Sequence, residues 1–182
     1  MEFEAKLIMF LQAGANEGFT AFFNAISLLG SWVGIILAFV CLFFISKKYA
    51  FTLLVSYGFG VGLNYILKLI INRDRPYLTY DNITAFSEAL GNSFPSGHAV
   101  SSVIMAIFIC FIVWKLAKTK FTKIATIISM TIFVGLVCLS RMYLGLHYFS
   151  DLIAGLAVGG IVALIGLRLF NKNFKPKRKI NE

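Results

Sequence analysis

Long apolar runs separated by short polar segments dominate this chain. Five runs approach or exceed the roughly 20 residues that a helix needs to cross a bilayer, and they cover residues 32–46, 49–71, 98–116, 124–141 and 149–170. Because backbone polar groups in lipid must bond within the segment, these runs predict an all-α, polytopic membrane bundle. We see no internal repeat, so residues 1–182 are expected to form a single membrane-embedded domain.

The N-terminal residues 1–30 depart from this pattern. Residues 2–12 alternate charged and apolar positions, which is typical of an amphipathic helix lying at the membrane interface. Residues 19–29 are apolar but too short to span, and Gly30-Ser31 interrupts the pattern before the first long run. We therefore predict an interfacial or re-entrant N-terminal segment, which either extends the first span or forms a sixth.

Composition supports a membrane protein and argues against a nucleic-acid-binding one. Hydrophobic residues make up 59% of the chain and its mean hydropathy is +0.83, far above soluble domains. The net charge is +9, but most basic residues lie in short loops between apolar runs, and no basic patch with interleaved aromatics appears. The bilayer is the expected partner, nucleic acid is not, and the oligomeric state stays open.

Basic residues predict the orientation, since cytoplasmic loops are enriched in lysine and arginine. One membrane side receives 12 of the 17 basic residues: Lys47, Lys48, Lys115, Lys118, Lys120, Lys123, Arg168, Lys172, Lys175, Lys177, Arg178 and Lys179. This side is predicted to be cytoplasmic, with residues 171–182 as a basic cytoplasmic tail. The chain is thus expected to be a multi-pass plasma-membrane protein.

Three polar motifs interrupt the apolar pattern, and all fall on the predicted extracytoplasmic side. They are Lys68-x6-Arg75-Pro76, Pro95-Ser96-Gly97-His98 and Ser140-Arg141-x5-His147-x3-Asp151. Charged and ionisable residues in or beside a bilayer are costly, so they mark candidate functional sites. The orientation follows from the basic residues of the loops and the motifs from residue type and spacing, so two different features indicate the same membrane face.

The third motif predicts an oriented histidine. His147 and Asp151 are four residues apart, which on a helix at the entry of the fifth span would place them on one face. A carboxylate there can bind one ring nitrogen and leave the other free as a nucleophile or base. The alternative is an interfacial histidine satisfied by a structural i,i+4 partner.

The second motif predicts an anion site at a helix start. Ser96 and Gly97 precede a long apolar run, and free N–H groups at a helix N-terminus attract anions. Ser96 alone could be only an N-cap, and Gly97 only a turn residue. His98 favours the functional interpretation, because it could donate a proton to a group leaving a bound phosphate.

The first motif and Arg141 supply positive charge. A phosphoryl group in transfer carries negative charge on three oxygens, which guanidinium and ammonium groups stabilise. Lys68 could instead be a snorkelling interface lysine, and Arg75 a solvated loop residue. Arg141, flanked by apolar residues, is harder to explain in that way.

Together the three motifs resemble the signature of the type 2 phosphatidic acid phosphatase superfamily of membrane lipid phosphate phosphatases. K-x6-R-P, P-S-G-H and S-R-x5-H-x3-D are complete and in order across residues 68–151. The resemblance implies His147 as a phosphohistidine-forming nucleophile oriented by Asp151, and His98 as general acid and then base. It implies phosphate binding by five further residues: Lys68, Arg75, Ser96, Gly97 and Arg141.

The resemblance also implies a metal-independent lipid phosphatase without a cofactor, and the sequence has no carboxylate cluster of the kind that holds Mg²⁺. Ser140 matches the motif but is interpreted as structural. Undecaprenyl pyrophosphate and phosphatidylglycerol phosphate are the leading substrates. A lipid phosphotransferase using the same histidine is the main alternative, and a small transporter is the other. The transporter is disfavoured because the charges cluster at one face.

Overall fold

The computed structural model describes residues 2–171 of the chain and builds them from helices. The helices are α1 (Glu2–Gln12), α2 (Glu17–Leu29), α3 (Trp32–Ile45), α4 (Lys47–Ile71), α5 (Pro76–Thr79), α6 (Gly97–Leu116), α7 (Lys120–Tyr143) and α8 (Phe149–Asn171). Residues 2–171 contain no strand, which confirms the predicted all-α class. Apart from residue 171, the predicted basic tail 171–182 lies outside the described residues.

Five membrane spans are consistent with these helices. Helix α4 together with α5, and helices α6, α7 and α8, are each long and apolar enough to cross a membrane. Helices α2 and α3 pass the same test only as a pair, which is bent by 50° at a short break. At about 1.5 Å per residue, α3 alone would cover only about two thirds of a hydrocarbon core roughly 30 Å thick. The first predicted span is therefore a broken one.

The predicted interfacial segment 1–30 divides into two parts with different surroundings. Helix α1 packs against the bundle through Ala5 and Ile8. Helix α2 instead lies along α7: the Thr20 and Tyr143 hydroxyls are 3.0 Å apart, and Gly30 approaches Val137 farther along both helices. The structure therefore packs α2 against the bundle, where it forms the bent pair with α3.

Two glycines let α8 pack tightly against the start of α6. A Cβ atom on Gly155 would lie 2.5 Å from the carbonyl oxygen of Ser96, and one on Gly159 would lie 2.6 Å from that of Val100. Small residues four apart permit such close backbone contact between membrane helices. This contact brings the second motif, at the start of α6, beside the third motif, at the start of α8.

Below the motifs, a core of buried apolar side chains joins α3, α4, α6 and α8. Its largest fully buried members include Ile35, Leu53, Ile104 and Phe108. Since lipid tails are as apolar as these side chains, close packing rather than water exclusion stabilises the contact. The alternating helix directions place the end of α4, the start of α6, the end of α7 and the start of α8 at one end of the bundle.

Candidate active site

The structure brings the residues of all three motifs to this one end of the bundle. Lys68 lies in the last turn of α4, and Arg75 in the connection before α5. The second motif begins α6, Arg141 lies in the last turn of α7, and Asp151 in the first turn of α8. A turn of residues 144–148 between α7 and α8 carries His147.

His147 and Asp151 are neighbours, but not in the predicted way. His147 precedes α8 instead of lying on it. The turn is closed by the Arg141 carbonyl oxygen, which accepts hydrogen bonds from the backbone N–H groups of Leu146 and His147. The Asp151 carboxylate accepts one from the backbone N–H of Tyr148 (2.9 Å), and its Oδ2 lies 3.5 Å from His147 Nδ1. Both residues are buried.

The surroundings of the imidazole assign its two nitrogens different tasks. Nδ1 faces Asp151 Oδ2, whereas Nε2 lies 3.5 Å from Nη1 of Arg75. An ionised carboxylate only accepts hydrogen bonds and a guanidinium only donates them. The neutral ring therefore carries its proton on Nδ1 and its lone pair on Nε2. Nε2 is the nitrogen available for attack.

The protonation state of His147 gives a direct test of this environment. Burial lowers the pKa of His147 to about 3, and the charges of Arg141 and Arg75 act in the same direction, while Asp151 opposes them. The ring should therefore stay neutral from pH 8 to pH 5. The unfolded chain binds the extra proton below its ordinary pKa of about 6.5, so this residue makes stability fall as the pH drops below that value.

Nuclear magnetic resonance of the ¹⁵N-labelled histidines can follow this directly, because the chain has only 2 histidines. His98→Gln assigns the His147 signal. A His147 imidazole that titrates near pH 6.5 would contradict the expected state.

The second motif lies at the start of α6, and its serine side chain does not cap the helix in the usual way. Ser96 occupies the N-cap position, but its side chain makes no capping hydrogen bond. Its backbone N–H donates to the carbonyl oxygen of Asp151 at 3.0 Å, which ties the two helix starts together. The first N–H groups of a helix have no intrahelical acceptor. The first such bond of α6 is donated by Val100 to the Ser96 carbonyl oxygen, so the N–H groups of residues 97–99 are the ones that could bind an anion. His98 follows, within electrostatic range of His147.

Arg141 is buried, with 5% of its surface exposed. Its Nη1 donates a hydrogen bond to the hydroxyl of Ser27 on α2. Its Nε has no partner among the described residues. Ser27 of the broken first span thus binds one end of the guanidinium, and the buried Nε–H has no acceptor among residues 2–171.

Lys68 and Arg75 are held by backbone carbonyls of the loop before α6. Arg75 donates to the carbonyl oxygens of Gly91, Leu90 and Leu146, with distances of 2.8, 2.8 and 2.9 Å. Lys68 Nζ donates to those of Asn92 and Ser93. A guanidinium has five N–H groups and an ammonium three. Each cation is fixed and still has donors to spare.

The contacts of Lys68, Arg75 and Arg141 described above are with neutral groups. Among residues 2–171, no salt bridge joins Lys68, Arg75 or Arg141 to an acid. Buried cations without an ionic partner, and buried polar atoms without a hydrogen bond such as Ser96 Oγ, cost free energy that a bound anion would offset. The arrangement suits a multiply charged oxyanion beside His147.

Residues outside the predicted set complete the site. Ser93 is fully buried and its hydroxyl donates to Asp151 Oδ2. Ser27 contacts Arg141, as described above. Arg73 forms one ion pair with Glu4 and another with Asp151. Of these residues outside the predicted set, only Arg73 falls within one of the three motifs, between Lys68 and Arg75. A serine in an apolar helix or a loop has no pattern that marks it.

Comparison with known proteins gives the same assignment as the motifs. The family model described as the PAP2 superfamily matches residues 49–175. Over 168 residues the chain is 33% identical to lipid A 1-phosphatase of Rhizobium etli, covering 88% of this chain and 61% of that protein. It is 26% identical over 179 residues to undecaprenyl-diphosphatase of Sulfolobus acidocaldarius, covering 97% and 81%. The chain thus spans about three fifths of the Rhizobium relative.

Two solved structures share the fold. A PAP2-type phosphatidylglycerolphosphate phosphatase from Bacillus subtilis superposes with a TM-score of 0.81 at 23% identity, covering 97% of this chain and 88% of that one. Aquifex aeolicus LpxE superposes with a TM-score of 0.75 at 21% identity, covering 90% and 93%. Since the family model covers well over half of the sequence, the chain belongs to the PAP2 superfamily.

Proposed function

We propose that this protein is an integral membrane lipid phosphatase that works through a phosphohistidine. The observation that carries the proposal is a buried histidine, His147, and a half-buried one, His98, near three cations that form no salt bridge with a carboxylate. A phosphate head group supplies the missing negative charge. The lone pair of His147 Nε2 and the nearby Arg75 suit attack on phosphorus with the developing charge stabilised.

The proposed reaction assigns one group of the site to each step. His147 Nε2 forms a bond to phosphorus, the bond from phosphorus to the leaving oxygen breaks, and that oxygen takes a proton from His98. Water then attacks the phosphohistidine, His98 accepts the proton of that water, and the P–N bond breaks to release inorganic phosphate. Asp151 keeps the His147 tautomer fixed, and Arg141 and Lys68 hold the phosphate oxygens.

The membrane setting supports a lipid as the substrate class. The site lies at one end of apolar helices, so a phosphate head group can enter while its tail stays in the bilayer. The relatives are named as phosphatases of lipid A, undecaprenyl diphosphate and phosphatidylglycerophosphate. We infer undecaprenyl pyrophosphate or phosphatidylglycerol phosphate as the physiological substrate.

The distribution of charge supports an extracytoplasmic active site. Seven basic residues within the described part of the chain lie at helix ends opposite the site: Lys47, Lys48, Lys115, Lys118, Lys120, Lys123 and Arg168. Positive charge of this kind marks the cytoplasmic side. The end of α8, and with it the C-terminus, would then face the cytoplasm.

A substrate panel tests the function. Purified protein in detergent is expected to release inorganic phosphate from the two proposed lipids in the presence of EDTA, and vanadate should inhibit because it mimics the trigonal transition state. Lipid A and phosphatidic acid serve as comparison substrates. A strict requirement for Mg²⁺ would contradict the mechanism. Label that appears in an added lipid instead of inorganic phosphate would assign the alternative phosphotransferase reaction.

A further inference from the structure

Arg73 connects the proposed catalytic carboxylate to the N-terminal helix. Its Nη1 lies 2.7 Å from Asp151 Oδ1 and 2.7 Å from the hydroxyl of Ser150. Its Nη2 lies 3.1 Å from Oε2 of Glu4 on α1. One guanidinium thus spans two carboxylates from opposite ends of the described chain. This differs from Lys68, Arg75 and Arg141, which have no carboxylate partner.

The contacts of Asp151 show why this link matters. Oδ2 accepts hydrogen bonds from Ser93 and from the backbone of Tyr148 and faces His147. Oδ1 is contacted by Arg73. The aspartate is fully buried, so its charge needs compensation on both oxygens. Arg73 therefore fixes the rotation of the carboxylate that sets the His147 tautomer.

Arg73 is itself held on three sides. Its guanidinium carbon lies 3.9 Å from the centre of the Tyr148 ring, and its carbonyl oxygen accepts a hydrogen bond from the backbone of Ser93 at 2.7 Å. Glu4 completes the arrangement, because its Oε1 also accepts from the backbone N–H of Ser150 at 2.7 Å. A planar, doubly paired guanidinium of this kind is not replaced by a lysine without loss of geometry.

Glu4 is suited to act as the anchor. Burial opposes its ionisation, but the hydrogen bonds from Ser150 and Arg73 outweigh that effect and lower the pKa of Glu4. The carboxylate is therefore charged at neutral pH. Burial of Ala5 and Ile8 fixes the helix that carries it. Helix α1 and the start of α8 are thus locked together beside the reacting histidine.

We propose that Arg73 is a positioning residue for the Asp151–His147 pair and that Glu4 anchors it, which makes α1 part of the catalytic apparatus. The proposal rests on the proposed function, since it assigns Arg73 an effect on the histidine step. It separates two kinds of arginine in the site. Arg75 and Arg141 are directed to the phosphate, whereas Arg73 acts through Asp151.

Substitution of Arg73 tests this role. Arg73→Gln is expected to lower kcat by about 10- to 100-fold, as loss of a partner that orients a functional histidine does in metal sites. KM and competitive inhibition by inorganic phosphate should change little, because the phosphate-binding cations remain. Arg73→Lys should recover part of the loss. Arg168→Gln, at an exposed position of α8, is the matched control, and its kcat should equal that of the wild type.

Glu4 provides the second, independent arm. Glu4→Gln should lower kcat less than Arg73→Gln does, and it should add nothing in the Arg73→Gln background, because both act through one chain of contacts. Glu2→Gln, an exposed acid of the same helix, is its control. Thermal unfolding in detergent checks that each variant is folded. If Arg73→Gln does not fold, Arg73→Lys and Glu4→Gln carry the test.

The outcomes separate this inference from the proposed function. Wild-type kcat in the folded Arg73 variants, weakened phosphate inhibition at unchanged kcat, or additive effects of the Glu4 and Arg73 changes would each overturn it while leaving the phosphatase assignment intact. A wild-type protein that forms no phosphohistidine would overturn both. A lower kcat with unchanged phosphate inhibition, partial rescue by lysine and no further loss from Glu4→Gln would support it.

Discussion

Replacement of His147 by alanine is expected to lower phosphate release on the order of 10⁴-fold or more, since removing a nucleophile removes the covalent route altogether. His147 is buried and lies between Arg75 and Asp151. The variant should still bind inorganic phosphate, because the three cations of the site remain. The measurement is the initial rate on the best lipid of the panel, compared with phosphate inhibition.

Trapping of the intermediate makes the same prediction in a second way. Wild-type protein mixed with ³²P-labelled substrate and quenched in alkali should carry label that is released by acid, as expected for a P–N bond. His147→Ala should carry none. Label retained by the variant, or a rate comparable with that of the wild type, would assign the nucleophile to another group. A thermal unfolding curve close to that of the wild type excludes loss of fold as the cause.

The candidate site residues could be recognised in the sequence because of their type and position. A histidine, an arginine or an aspartate within an apolar chain is rare, so His98, Arg141 and Asp151 were recognisable before any helix was placed. Alternating apolar runs then determined which end of the bundle they share. Long spans such as α4 and α7 were predicted within a few residues, since apolar length alone defines them.

Contacts that depend on tertiary geometry could not be predicted. The pairing of His147 with Asp151 was expected from helical spacing, whereas the structure achieves it through a turn whose backbone N–H donates to the Asp151 carboxylate. Ser27 is 114 residues from Arg141, and nothing in its apolar segment indicates that its hydroxyl would meet a guanidinium. A break of two residues between α2 and α3 brings it there.

The loop before α6 presents the same lesson for electrostatics. Its residues carry no charge pattern that marks a function, yet its carbonyl oxygens orient Lys68 and Arg75. Backbone acceptors are available at every residue, so sequence does not indicate which of them will face a cation. The backbone of this loop therefore positions two cations of the candidate site.

Replacement of His98 by alanine is expected to lower turnover by about 10²- to 10⁴-fold, the usual contribution of general acid–base catalysis. The size of the effect on the first step, formation of the phosphohistidine, should depend on the leaving group. For an aryl phosphate whose phenolate leaves without a proton, formation of the phosphohistidine needs little help from an acid. For a lipid alkoxide it needs the proton. The first step should thus be spared with the aryl substrate and lost with the lipid phosphomonoester.

The second step gives the decisive measurement, because hydrolysis of the intermediate needs His98 as a base whatever the first leaving group was. His98→Ala should therefore accumulate labelled protein with an aryl phosphate, and rapid-quench kinetics should show a burst followed by slow turnover. Ser101→Ala, one turn farther along α6 with its hydroxyl bonded to the Gly97 carbonyl oxygen, serves as the control and should turn over normally. An equal loss in the rate of phosphohistidine formation with both substrates, and no burst, would remove His98 from the proton-transfer role, leaving it only a place in the site.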